Sequence, residues 1–344
     1  MRRLKLRQTI MHPRGSGAPD NERGAVAIIV AMLLVVLMGA AAIAVDVGAL
    51  YAEKAQLQNG ADSAALAIAD DCAGGSCGDF AATGDEFANT NANDGSSGAI
   101  VTFPNATTVR VATNARDANT DADSFSLFFA RILGFETTEV GAIAEASWGP
   151  PGSGGAFPLA FSDKCWDLSG AVDTGQLQKI SWKPGVTCTN PSGHTIPGGW
   201  GWLDDPDSDC YAVTGLGNAI GSDPGNNKPT QCATILQGWI NVLNSGDEVN
   251  VLFPVFDTAT GSGNTGSFHI IGFATFSIVG WKFGQNGVYE YHNTTAALGN
   301  SHLACSGGND RCIIGQFIKF QSIDSVGGVG GGADLGTLDI RLTK

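Results

Sequence analysis

Between residues 198 and 210 the segment GGWGWLDDPDSDC sets Asp204, Asp205, Asp207 and Asp209 beside Trp200 and Trp202. Four carboxylates at that spacing have the chemistry to ligate a hard cation such as calcium. Two tryptophans one residue apart would offer a sugar an aromatic platform. The central Gly and closing Glu of a twelve-residue calcium loop are missing, so an acidic, solvated loop is the favoured reading. Tryptophans in a Gly-rich β segment are more often core filler than platform, which makes this a weak binding candidate.

Other short motifs fail on context. Gly74-Gly75-Ser76-Cys77-Gly78 matches G-x-S-x-G, but a nucleophile elbow needs a strand before it and a helix after. Here a helical pattern precedes it and two cysteines bracket it. Gly261-Ser262-Gly263-Asn264-Thr265-Gly266 spells G-x-G-x-x-G, yet a strand pattern follows where a dinucleotide site needs a helix. The five histidines (His12, His194, His269, His292, His302) show no H-x-x-x-H or H-E-x-x-H spacing, and His269 alternates with apolar strand neighbours. No catalytic residue, metal site or cofactor is expected, and the chain reads as a non-enzyme.

Eight cysteines remain: Cys72, Cys77, Cys165, Cys188, Cys210, Cys232, Cys305 and Cys312. An even number in an oxidising compartment reads as disulfides, and the CxxC pairs of a zinc finger are absent. Connectivity does not follow from sequence, although the short loops Cys72–Cys77 and Cys305–Cys312 are natural local pairs.

The element that must position all of this lies upstream. From Ala25 to Val45 the chain runs 21 residues without a charge. As a helix, that length spans the ~30 Å hydrocarbon core of a bilayer. Asp46 is the first charge and marks the exit. The helical pattern then continues, with Val47, Leu50, Leu57, Ala61, Ala64 and Ile68 on one stripe and only Gly60 interrupting. One continuous helix over Ala25–Ala69 would be ~67 Å long. The expectation is a membrane anchor, 24–46, continuing as a stalk, 47–70.

These residues also carry a resemblance. RGAVAIIVAM, then AIAVDVGALYAEKAQLQNGADSAALAIA, resembles the N-terminal segment of TadE/TadG-like Flp (tight-adherence) pilus-assembly proteins. The ordered set is Gly24, the step Asp46, Gly48, Leu50, Tyr51, and Leu57-Gln58-Asn59 followed by Ala61, Asp62, Ala64 and Ala65. It covers about 50 of 344 residues; the remainder looks like the variable outer part of actinobacterial members. The resemblance implies a cell-envelope protein of a tight-adherence pilus system, with no catalytic residues to carry over. Some TadG-like proteins also hold a von Willebrand A domain with a D-x-S-x-S metal motif. Here Asp167–Ala171 reads DLSGA, lacks one hydroxyl ligand, and is rejected as that domain.

Charge is segregated about the apolar run. The chain has 19 Lys/Arg and 33 Asp/Glu; residues 1–24 hold six and two of these, leaving 13 and 31 beyond. Basic residues favour the cytoplasmic side, so the N-terminus is expected inside and the acidic bulk outside. That acidity argues against nucleic acid as a partner. A signal peptide cleaved at Ala42-Ile43-Ala44 is the rival, but the run exceeds a usual h-region and the helical pattern passes through the site. A prepilin-type cut after Gly24 is disfavoured too, since the fifth residue beyond it is Ile29 where such prepilins carry Glu.

The expected organisation is α+β. Residues 1–23 form a basic cytoplasmic tail, and the anchor and stalk follow. A small α+β module spans 71–148, with a hairpin at 99–103 and 108–113, a core helix carrying Phe125, Phe128, Phe129, Ile132 and Leu133, and a strand at 138–148. A Gly/Pro linker covers 149–156, and 157–344 is a larger antiparallel β-rich domain stapled by disulfides, with a packing helix at 232–244. Expected partners are membrane lipid and other pilus-assembly or envelope proteins, met through the Ala-rich stalk face. The alternative function is an anchored surface module that binds a glycan or protein.

Overall fold

The computed structural model describes residues 21–163, 177–181, 188–189, 195–196, 200–217, 219–221, 230–260, 266–305, 307–308, 310–323 and 331–344. The basic tail to residue 20, Cys165, His194, the DLSGA segment and residues 261–265 of the Gly-rich loop lie outside them.

Helix α1 runs unbroken over Asn21–Ala73, 53 residues. The large apolar side chains in its first half, from Val26 to Val45, are more than half exposed. Its second half changes character abruptly. Leu57, Ala61, Ala64, Ala65, Ile68 and Ala69 are at most 2% exposed. Leu57 packs with Ala115 and Ala142 of a sheet, and the others on Val109, Val111, Ala144, Ala146, Trp148 and Ile340 of the same sheet. Recurrence at three and four residues puts these side chains on one helix face, and alanine lets the helix axis come close to the strands.

That sheet has five strands, in the order Ser97–Asn105, Thr108–Ala115, Gly141–Gly149, Thr337–Leu342, Phe320–Ile323. Its pairs are antiparallel except the last, where Phe320–Ile323 lies parallel to Thr337–Leu342. A second helix, α2 (Phe80–Asn91), is capped by Asp79, whose Oδ1 accepts from the Ala82 N–H at 3.1 Å. It crosses α1 at Gly60, where a Cβ would stand 3.1 Å from the Ala88 Cα. The glycine that interrupts the helical stripe of the sequence is therefore a point of tight helix–helix contact, where a side chain would crowd the α2 backbone.

The larger sheet orders its strands Trp200–Trp202, Leu159–Ser162, Val249–Thr260, Ser267–Lys282, Cys312–Ile318, Gln178–Ser181; Ala219–Gly221 and Glu290–Tyr291 also pair with Ser267–Lys282. The core is aromatic. Phe161 meets Phe253 at 4.7 Å and Phe317 at 5.5 Å between ring centroids, in tilted and edge-on contacts. Helix α3 (Ala233–Ser245) presses the buried Leu236 and the partly buried Ile235, Trp239, Ile240 and Leu243 onto it, the stripe its spacing predicts.

Three differences from the sequence expectations have physical causes. The segment 125–133 is not a core helix: Phe125–Ser126 pairs with Thr137–Thr138, Ala130–Leu133 is a single 3-10 turn, and Gly134 stops it at φ 91°. Three of the five periodic apolar residues point outward, with Phe128 63%, Ile132 79% and Leu133 76% exposed, while Phe125 packs against Leu57, Ala115 and Ala142. The Gly/Pro segment 149–156 contains a strand, Ser153–Ala156, paired with Ala212–Gly215. The C-terminal strand Thr337–Leu342 leaves the larger body and joins the α1 sheet, so sheet membership does not follow chain order.

If close approach is what seats α1, volume added on its inner face must be costly. Ala64→Leu is expected to lower stability by about 1–3 kcal/mol in denaturant unfolding of the full-length protein in detergent. Ala55→Leu, on the exposed face, is expected to change it by less than about 0.5 kcal/mol.

Candidate functional site

The residues of the ordered N-terminal set differ in the direction they face along α1, with Leu50, Gln58 and Asp62 half-buried between an inner and an outer group. Facing inward are Asp46, Leu57, Ala61, Ala64 and Ala65, all buried. Leu57 also contributes its carbonyl, which accepts from the Thr113 hydroxyl at 2.9 Å. Gln58 and Asp62 flank this face: the Gln58 Nε2 donates to the Asp62 Oδ1 at 2.8 Å and to the Ile143 carbonyl at 3.3 Å. Facing outward are Gly48, Tyr51 and Asn59. Tyr51 is 73% exposed, and a Cβ on Gly48 would touch nothing. Gly24 begins the apolar run within the helix.

Asp46 makes the most specific contact of the site. Its Oδ1 accepts from the N–H groups of Phe128 (2.9 Å) and Phe129 (3.1 Å), and its Oδ2 from those of Phe129 (3.0 Å) and Ala130 (2.6 Å). The first N–H groups of a helical turn have no intrahelical acceptor, and a carboxylate suits them in both geometry and charge. The carboxylate that ends the apolar run thus caps a turn more than 80 residues away in sequence. Between that turn and α1 lies an apolar groove of about 440 Å³, lined by Gly39, Ala42, Ile43, Val47 and Leu50 on the helix and Leu127, Phe129, Ile132 and Leu133 on the turn.

Higher on α1, the turn after α2 leans on the helix: the Asn93 N–H donates to the Gln56 Oε1 at 2.8 Å. Burial here, reinforced by the charge of Asp94, pushes the Glu53 carboxyl above its ordinary value. Asp117, at the base of the turn-bearing segment, behaves oppositely. The N–H groups of Asn119 and Thr120 and the Thr120 hydroxyl hold its carboxyl below the usual range.

The Trp/Asp segment resolves into structural roles. Trp202 is 4% exposed and packs on Phe157 and Phe283 at 5.8 and 5.3 Å between centroids, so its ring is core. Trp200 lies on the strand Trp200–Trp202. Asp205 fastens its own loop, its Oδ2 accepting from the Cys210 N–H at 2.8 Å and the Gln231 side chain at 3.1 Å. Asp204, Asp207 and Asp209 sit along the same loop, where Asp209 donates its N–H to the Asp205 Oδ1 at 3.3 Å. Among the described residues no three His, Cys, Asp or Glu side chains come together as metal ligands.

Disulfides join Cys72 to Cys77, Cys210 to Cys232 and Cys305 to Cys312. The first closes the loop at the end of α1, and the second ties the Asp205 loop to the start of α3. Cys188 lies on the short strand Cys188–Thr189. His269 pairs with Asp257, Nδ1 to Oδ1 at 2.8 Å, as a partly exposed surface contact.

Sequence reasoning identified Asp46 as a boundary marker and missed its second role. No local signal could reveal it, because the donors are backbone amides whose position depends on the sheet. It also assigned the Ala-rich stalk face to partner proteins. That face is covered by the chain's own strands, which leaves the opposite face, with Gly48, Tyr51 and Asn59, open.

Residues 24–71 match the Tad family model, described as Flp pilus-assembly TadE/G-like. The matched segment is α1 almost in its entirety, the exposed apolar half and the sheet-bound half together. No curated protein and no solved structure matches the chain.

Two outcomes follow. Asp46→Ala is expected to speed amide exchange at Phe128, Phe129 and Ala130 by roughly tenfold or more, while amides of the α1 sheet keep their protection; unchanged exchange would remove the capping role. Glu53, with its raised folded-state pKa, favours folding at low pH, and that contribution fades as pH climbs through and above the ordinary carboxylate range. Glu53→Gln should therefore raise the unfolding midpoint at neutral pH and flatten this part of the pH profile.

Proposed function

We propose that this chain is a membrane-anchored, extracytoplasmic structural or assembly protein of a Flp (Tad) pilus or a related envelope system. The observation that carries the reading is that the Tad-matched segment is one continuous helix with two environments. Its first half presents apolar side chains all round, as a bilayer span does, and is long and apolar enough to cross. Its second half is the central element of a folded, disulfide-bonded body.

The basic tail before the span and the acidic bulk after it favour an N-in orientation. Disulfides in the body suit the oxidising side of the membrane. The role is structural rather than catalytic, in keeping with the family description. Lipid contacts the lower helix, and other pilus or envelope components meet the open face around Gly48 and Tyr51. The alternative of a surface module that binds a glycan through Trp200 and Trp202 draws no support from Trp202, whose ring is packed inside.

Expression of the full chain in a host with a Tad system tests this in two steps. The protein is expected in the alkali-resistant membrane fraction with residues 24–45 retained by intact mass, and external protease should digest the body in intact cells. Purification from detergent should then recover pilin or other pilus-assembly components, and Tyr51→Arg should reduce that recovery at least severalfold without moving the thermal midpoint. A protein that is soluble, or whose body is protected in intact cells, is not what we propose.

A further inference from the structure

We propose that the turn-bearing segment 127–135 is a second membrane contact, immersed in the leaflet next to the body and clamped to the anchor by Asp46. The inference rests on the reading of residues 25–45 as a bilayer span and adds a surface and a partner to it. It begins with depth. Ile132 and Leu133 share a groove with Gly39, Ala42 and Ile43, which precede Asp46 by three to seven residues. At 1.5 Å per residue, the turn hangs about 5–10 Å below the end of the apolar run. That is the depth at which interfacial elements bury their apolar faces. A helix crossing up to Val45 cannot lie in lipid at Gly39 and leave this turn in water.

The chemistry of the segment agrees. Phe128, Ile132, Leu133 and Phe135 are 63–79% exposed among the described residues, and Ile132 and Leu133 meet Gly39, Ala42 and Ile43 of the exposed apolar half of α1 across the groove. The segment holds a defined shape: the Leu127 N–H donates to the Glu136 carbonyl at 2.9 Å and the Phe135 N–H to the Ala130 carbonyl at 3.2 Å. Its one cation, Arg131, sits over the Phe128 ring at 5.4 Å, placed for its long side chain to reach back to lipid phosphate. Backbone amides carried into an apolar layer need acceptors, and Asp46 supplies them to three in succession. The body would then be held at two points, the helix and the turn, which fixes its tilt on the membrane.

The test uses the full-length protein in phosphatidylcholine–phosphatidylglycerol nanodiscs, with photoreactive p-benzoylphenylalanine replacing one exposed residue at a time. Val36 reports the anchor, and Ile132 and, separately, Phe128 report the turn. Ile100 reports the body, since its strand partner Ala112 neighbours Thr113, which bonds to Leu57 far above Asp46. Mass spectrometry after illumination is expected to find lipid adducts at Val36 and at Ile132 or Phe128, and none at Ile100. Adducts at Val36 with neither turn position labelled would overturn the inference and leave the anchor standing. No adduct at Val36 would remove the anchor reading and this inference with it. Crosslinking of the turn to a second copy of the chain, or lipid adducts at Ile100 as well, would also overturn it. Unchanged thermal midpoints of the four substituted proteins establish that each outcome belongs to the folded state.

Discussion

The structure depends on the close seating of Leu57–Ala69 of α1 in the five-stranded sheet. Small side chains there replace the bulk that a globular core normally places between helix and strands, so the helix axis lies near the backbone of the sheet. A helix held this way is rigidly coupled to the body. Because the same helix continues unbroken into an exposed apolar half, the orientation of the body and the direction of the lower helix are coupled. The picture is not of a domain tethered on a free stalk. The helix is the spine of the domain.

Asp46 extends that coupling downward. It lies on the same face of α1 as Leu57, Ala61 and Ala64, because multiples of three and four residues return a side chain to nearly the same azimuth. One stripe therefore meets three surroundings in succession: an apolar groove, a set of backbone amides and a sheet. A charge at the boundary between an apolar run and a polar chain is expected on solvation grounds alone. Here its hydrogen bonds with Phe128, Phe129 and Ala130 also bind a remote turn to the helix.

The C-terminal strand ties the two bodies together. Thr337–Leu342 pairs with Gly141–Gly149, places Ile340 under α1, and joins Thr337 to Thr275 of the larger sheet through a buried hydroxyl pair at 2.9 Å. The last residues of the chain thus complete the core begun by the first helix. Truncating the C-terminus would open the α1 sheet rather than shorten a peripheral domain.

Much of this was legible from residue order. The continuity of α1, the hairpin near residue 100, the packing stripe of the helix at 233–245 and the β-rich character of the later chain all follow from local periodicity. Gly60 illustrates the boundary of such reading: a glycine within a helical pattern signals a cost, and its reason is visible only once α2 is laid across it. The segment at 125–133 illustrates the opposite case. Its helical spacing of Phe and Ile is real, but a buried helix needs an apolar surface to pack on, and the face of the sheet that carries Val109, Val111, Ala144 and Ala146 is already covered by α1.

What the sequence determined by itself, then, was a long helix with an apolar half and an Ala-rich half, because both are properties of spacing along one element. The occupant of the Ala-rich face, the role of Asp46 and the sheet joined by the last strand were decided only in three dimensions. Each depends on partners brought together from distant parts of the chain, and a backbone amide or a strand edge can be offered by almost any residue type, so the partner cannot be read from residue identity.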